Sequence, residues 1–151
     1  MINCTCSGLG CKLCFATQQT ANKIFIPGVP VAYVRTTQKQ KFVDKQYHKY
    51  LDYKQYIGSL ARQVINTPLE GPVMAEMTFY MPIPKNGKSK GKKVIEGDYH
   101  TSTKDLDNLV KGLLDSLNGI AFEDDKQVCE IHCKKIYSDY PGIEFEFISL
   151  T

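Results

Sequence analysis

The stretch Asp-Leu-Asp-Asn-Leu-Val-Lys-Gly-Leu-Leu-Asp-Ser-Leu-Asn-Gly, residues 105–119, is the clearest element of this chain. Leu106, Leu109, Val110, Leu113, Leu114 and Leu117 recur at i, i+3, i+4, i+7, i+8 and i+11, a continuous apolar stripe along one helix face. Asp105 stands where an N-cap belongs. Asn118-Gly119 stands where the helix should stop, because glycine tolerates positive φ. Asp105 and Asp107 open this helix, and Lys111 follows Asp107 by one turn on the same face. Leu106 and Leu109 fasten the element to the core, so both carboxylates ride on a rigid support.

Carboxylates so close repel each other unless a cation or a proton joins them. Mg²⁺ is a hard ion that takes oxygen ligands and keeps several waters, and phosphodiester hydrolysis uses such an ion. A competing reading needs no chemistry. Aspartate at a helix start serves capping and the helix dipole, worth about 0.5–2 kcal/mol, and Asp107 with Lys111 can be a plain i, i+4 pair. Asp124 and Asp125 lie after a short connection and before a strand, so Asp125 could complete a three-aspartate site. Their competing reading is an ordinary turn.

Working outward, strands are expected at 127–137 and 143–149, joined at Tyr140-Pro141-Gly142. Cys129, Ile131 and Cys133 share one face of the first and are read as buried. His132 falls on the other face and is not read as a ligand. Ile143, Phe145 and Phe147 share a face of the second. Upstream, Val73 to Met81 reads as a strand stopped by Pro82 and Pro84. Lys85, Lys88, Lys90, Lys92 and Lys93 then crowd a loop too polar to pack, with a short strand expected near Val94–Ile95. Tyr47, Tyr50, Ile57, Leu60, Ala61 and Val64 predict a helix from about 44 to 65, capped by Asp44. Tyr47 and Tyr50 are read as core rather than as a platform for bases. Ile24–Ile26 starts a strand, with Val29–Val34 as the second arm of a hairpin. The sum is an α+β domain: a mixed sheet with helices on one face and hairpin-like terminal pairs.

The chain has 151 residues, a hydrophobic share of 42% and a formal net charge of +3. That suits one domain with a real core, expected at 21–151. No apolar run approaches the roughly 18 residues of a membrane span, and no signal peptide is evident, so a cytoplasmic location is expected. Basic residues beside acidic ones suit a nuclease, lysines drawing phosphates while aspartates hold a metal. The bland alternative is a solvated loop and turn aspartates. Residues 1–20 form a separate Cys-rich extension. Cys4, Cys6, Cys11 and Cys14 suit a structural Zn²⁺, with free thiols and an iron–sulfur site as alternatives.

The run KDLDNLVKGLLDSLNGIAFEDDKQV, residues 104–128, closely resembles the RusA family of Holliday junction resolvases. Supporting pieces are Ile26-Pro27-Gly28-Val29-Pro30, the stretch from Pro68 to Val73, and Phe79-Tyr80-Met81-Pro82, so that the resemblance spans about 23–149. It implies a homodimeric, Mg²⁺-dependent endonuclease that resolves four-way DNA junctions by paired nicks. By this resemblance Asp105, Asp107 and Asp125 are the essential aspartates and Lys111 the essential lysine. Lys104 is then a phosphate contact, and Asp124 supports the metal. Arg35 is the convincing remnant of a basic motif that the family carries after its first strand. With the lysine loop it would contact DNA. Two rival readings remain open: a non-catalytic module binding branched DNA through the zinc knuckle and lysines, and a metal-dependent enzyme acting on another phosphate ester.

Overall fold

The computed structural model describes residues 23–151 apart from 40 and 42. The Cys-rich extension and its zinc expectation at Cys4, Cys6, Cys11 and Cys14 lie outside the described residues. The elements are β1 (Ile24–Pro27), α1 (Lys45–Val64), β2 (Val73–Pro82), β3 (Lys88–Ser89), β4 (Lys92–Lys93), α2 (Leu106–Leu117), a 3-10 turn (Asp125–Gln127), β5 (Val128–Ser138) and β6 (Gly142–Ser149).

The architecture is the expected α+β one. Four strands form a mixed sheet in the order β1-β6-β2-β5, β2 and β5 running parallel and the other pairs antiparallel. Alternation puts Val73, Ala75, Met77, Phe79 and Met81 of β2 on one face, where they are buried. Ile143, Phe145 and the half-buried Phe147 of β6 join them. Leu109, Leu113 and Leu117 of α2, with Ile57 and Ala61 of α1, close the core from the helical side.

The two hairpin expectations fail. Residues 29–34 form no strand: β1 pairs with β6, and the segment after it runs over α2 instead. β5 and β6 are not neighbours either, because β2 lies between them. The start of β6 is pressed against β1. A Cβ on Gly142 would meet the carbonyl oxygen of Ile26 at 2.7 Å, so only glycine lets the two strands approach here.

The helices match their expected spans, and the Asp44 carboxylate accepts from the backbone of Gln46 and Tyr47 as a cap should. The buried stripe of α1 runs through Tyr50, Tyr53, Ile57 and Ala61, whereas Val64 is exposed. The lysine segment is more ordered than expected. It folds into a hairpin of β3 and β4, whose turn residues Lys90 and Gly91 both take positive φ, the geometry that matches strand twist. No strand forms at 94–95. Cys129 and Ile131 are exposed and Cys133 is only half-buried, contrary to the expectation of a buried face. β5 is an edge strand; Val128 and Cys133 pack against the core from it, while residues 129–132 are exposed. No helix among the described residues is long and apolar enough to cross a membrane.

Candidate active site

Every candidate residue of the described chain except Arg35 lies in one connection, the crossover from β2 to β5. The N-terminus of α2 is its centre. Lys104, immediately before it, adopts φ +74 and donates its ammonium to the Pro30 carbonyl at 2.7 Å. Burial, with the charge of Lys49 as a lesser cause, lowers its basicity. The Lys104 carbonyl in turn accepts from Lys135 Nζ at 2.6 Å. Tyr33 N–H donates to the Asn108 carbonyl at 2.9 Å, and Gly112 leaves room for the Val31–Tyr33 backbone against α2. The start of the helix is thus clamped from two sides, by the segment after β1 and by β5. The Lys104 ammonium, expected to contact phosphate, serves as one of these clamps.

Asp105 occupies the N-cap position with extended backbone, yet its side chain makes no capping bond. Asp107 follows in the first turn. Both are exposed, and among the described residues neither enters a side-chain hydrogen bond or an ion pair. The capping and i, i+4 readings therefore do not account for them. Lys111 pairs forward rather than back: its Nζ lies 3.6 Å from Asp115 Oδ2 and 5.0 Å from the centre of the Tyr33 ring. Tyr50 OH donates to the same carboxylate oxygen at 3.3 Å. Burial and the Asp115 carboxylate hold the Tyr50 phenol in its protonated, donating form, well above its ordinary pKa.

Asp124 and Asp125 differ sharply. Asp124 caps the 3-10 turn, accepting from Lys126 N–H at 3.0 Å, and that bond pulls its pKa down. Gln127 completes the capping box. Its Oε1 accepts from the backbone of Glu123 and Asp124, and its Nε2 donates to the carbonyls of Leu69 and Gly71 at 2.9 and 3.0 Å. The turn reading thus describes Asp124. Asp125 has its carboxyl pushed up by burial and by the carboxylates of Asp124 and Asp115, with Lys111 acting against them. The fold therefore brings Asp125 toward Lys111 and Asp115 and leaves Asp105 and Asp107 at the open end of the same helix. Among the described residues no three His, Cys, Asp or Glu side chains gather closely enough to hold a metal ion unaided.

The lysine hairpin reaches the same region, since Lys90 Nζ donates to the Thr101 carbonyl at 2.9 Å, four residues before Asp105. Lys85, Lys88, Lys92 and Lys93 are exposed, as is Arg35 on the segment beyond Tyr33. Asp105, Asp107 and the lysines stand on exposed surface. A cavity of about 470 Å³, lined by residues such as Ile24, Ile65, Leu69 and Phe147, contains none of the site residues, and a shallow one of about 460 Å³ is lined by Asp124 and Gln127. An open surface suits a polymeric substrate better than a small molecule, which binds in enclosed clefts. Three contributors escaped the sequence reading. Asp115 had a signal, its i, i+4 relation to Lys111. Gln127 had one too, the capping-box spacing Asp124-x-x-Gln127. Tyr33 had none, because its partners are distant in sequence.

Set against known proteins, residues 27–147 match the family model described as Endodeoxyribonuclease RusA. The chain is also 39% identical over 97 residues to "Uncharacterized protein YqaN" of Bacillus subtilis (strain 168), covering 61% of this chain and 68% of that protein.

Proposed function

The chain belongs to the RusA family of endodeoxyribonucleases, hydrolases that act on DNA, and on that footing we propose that it resolves four-way junctions by paired nicks. In this reading it works as a homodimer, with residues 21–151 as the nuclease domain and a divalent cation, magnesium, as cofactor. The observation that carries the reading is the pair Asp105 and Asp107, mounted at the start of α2, exposed and free of side-chain hydrogen bonds and ion pairs among the described residues. A two-fold dimer would match the two-fold symmetry of a junction.

The donor set fits a hard cation. Asp105, Asp107 and Asp125 offer oxygen only, the donor atom that a hard cation prefers. With no three acids converging, such an ion would take few protein ligands and keep water, a coordination magnesium tolerates. When bound, it supplies a Lewis acid that polarises the phosphoryl oxygen and lowers the pKa of water. The chain's own residues do the rest. Lys111 offsets charge growing on the phosphate in the transition state. Asp115 and Tyr50 hold Lys111 in place, and Asp124 keeps the turn that presents Asp125. Lys85, Lys88, Lys90, Lys92, Lys93 and Arg35 hold flanking phosphates.

The test is cleavage of a labelled synthetic four-way junction, with linear duplex as control, in Mg²⁺ and in EDTA. Paired nicks near the crossover, lost in EDTA and absent from duplex, are expected. Tight binding without cutting would leave a DNA-binding module and return the aspartates to structural roles. Replacing Lys88, Lys92 and Lys93 by alanine is expected to weaken junction binding and flatten its salt dependence. The slope of log K against log salt should fall by about 0.9 for each phosphate that is no longer neutralised. An unchanged slope would place the DNA elsewhere.

A further inference from the structure

The segment from Gly97 to Lys104 leads from the lysine hairpin to the first aspartate of the site, and it starts along the outer edge of β5. Gly97 N–H donates to the Tyr137 carbonyl, Tyr137 N–H to the Asp98 carbonyl, and His100 N–H to the Lys135 carbonyl. Lys135 Nζ then reaches the Lys104 carbonyl at 2.6 Å, one residue before Asp105. His100 is the buried side chain of this segment. It is 8% exposed, and its ring packs on that of Tyr137, 2% exposed, with centroids 4.7 Å apart. Neither His100 Nδ1 nor the Tyr137 hydroxyl has a partner in hydrogen-bond geometry among the described residues. A neutral imidazole tolerates this, because one of its nitrogens carries no hydrogen. An imidazolium does not, because both nitrogens are then donors and Nδ1 becomes a buried N–H without an acceptor. The surrounding charges act in the same direction. Lys135 on β5 and Lys104 at the end of the segment are cations, and Lys90 of the hairpin donates to the Thr101 carbonyl. The acids of this stretch, Glu96 and Asp98, are engaged with Ser138 Oγ and with Ile95 N–H. Burial first, then Lys135 and more weakly Lys104, lower the pKa of His100; its own backbone carbonyl works the other way to a lesser extent.

We propose that His100 is a positioning residue of the site: as a neutral ring packed on Tyr137 it holds segment 97–104 to β5, and on gaining a proton it lets that segment go. Release undoes one of the two holds on the start of α2. The bond from Lys135 to the Lys104 carbonyl is lost with the segment, and what remains is the hold from the other side, Lys104 Nζ on the Pro30 carbonyl and Tyr33 N–H on the Asn108 carbonyl. Asp105 and Asp107 stay in place along the chain but lose their fixed aim. The direction with pH follows from the two states of the ring. In the released segment it takes up a proton near its ordinary value of about 6.5. In the packed segment it does so only at lower pH. The packed arrangement is therefore fully favoured above about pH 6.5 and weakens as pH falls below it. The inference rests on the reading of Asp105 and Asp107 as the metal-binding pair.

The test uses the full chain and two readouts. In the first, NMR follows the His100 ring and the protection of the Gly97, His100 and Tyr137 amides from about pH 8 to about pH 5, corrected for the intrinsic pH dependence of exchange. His100 is expected to titrate below the ordinary histidine range. Protection at the three amides should fall with it by at least about tenfold, while the amides between β2 and β6 keep theirs. In the second, single-turnover cleavage of a four-way junction is compared between the wild type and His100→Phe, which has a ring but no proton to gain. The ratio of the two rates cancels every titration they share, that of metal-bound water included. Wild type over variant is expected to fall at least about threefold from about pH 8 to about pH 5, with junction affinity moving equally in both. His100→Gln, neutral at every pH, serves if the phenylalanine variant misfolds. A ratio that stays flat, or protection that does not follow the titration, overturns the inference and leaves His100 a buried ring without a task. A ratio that changes only with the folded fraction, read by circular dichroism, does the same. A wild type that never cuts at any pH overturns the enzymatic reading and the positioning role with it, while the exchange measurement still decides by itself whether His100 holds the segment.

Discussion

Asp107→Asn is expected to lower junction cleavage on the order of 10³-fold, the scale seen when a group that acts in the transition state is removed. Junction affinity should stay nearly constant, because affinity rests on phosphate contacts. The separation of the two effects follows from the position of Asp107. It is exposed in the first turn of α2, and no described residue depends on it for a hydrogen bond or an ion pair. Asparagine has almost the same shape and a similar helix propensity. What the fold loses is one charge at a helix N-terminus, about 0.3–1 kcal/mol. The measurement is single-turnover cleavage of a labelled junction beside a mobility-shift titration of the same DNA. Cleavage at the normal rate would remove Asp107 from the site. Equal losses of cleavage and binding would make it a DNA contact instead.

Phe122→Ala should have the largest effect on stability, about 3–5 kcal/mol. Phe122 is fully buried, and its ring meets that of Phe147 edge-on at a centroid distance of 5.2 Å. Its carbonyl accepts from Gly119 N–H at 2.8 Å, closing the turn that ends α2. The loss would be a large part of the roughly 5–15 kcal/mol that holds an ordinary domain folded. Urea denaturation checks it, as a lower midpoint with little change in slope. Because Phe122 stands three residues before Asp125, cleavage should also decline at temperatures where the fold survives. A loss below about 1 kcal/mol would mean that the site collapses around the missing ring.

The elements that carry their own periodicity were legible in the sequence. α2 announces itself by six apolar residues on one face, and β2 by alternation over ten residues. Strand order was not legible, since alternation tells which face a residue takes and not which strand lies beside it. The approach of β1 to β6 depends on the missing side chain of Gly142, a contact across more than a hundred residues. In the site, Asp105, Asp107 and Lys111 were visible because they share one short helix start. Asp124 and Asp125 are chemically identical neighbours, and only the 3-10 turn, with Gln127 reaching back to Leu69 and Gly71, gives them different tasks. Lys104 could not be told from a phosphate-binding lysine, because its acceptor is a carbonyl 74 positions away. The exposure of Cys129 and Ile131 was hidden for a related reason: alternation gives the direction of a side chain but not whether anything covers it.

The position of β6 bears on when the enzyme becomes active during its synthesis. A ribosome releases the chain from the N-terminus, so β1, β2, α2 and β5 all emerge before β6. Yet β6 is the central seam, joining β1 on one side to β2 on the other. Until the chain has been made through Ser149, β1 has no neighbour and the β2–β5 pair presents an open inner edge. A nascent chain that already carries all its aspartates therefore lacks the sheet that steadies them. DNA cutting is therefore expected only once β6 has been made and has joined β1 to β2.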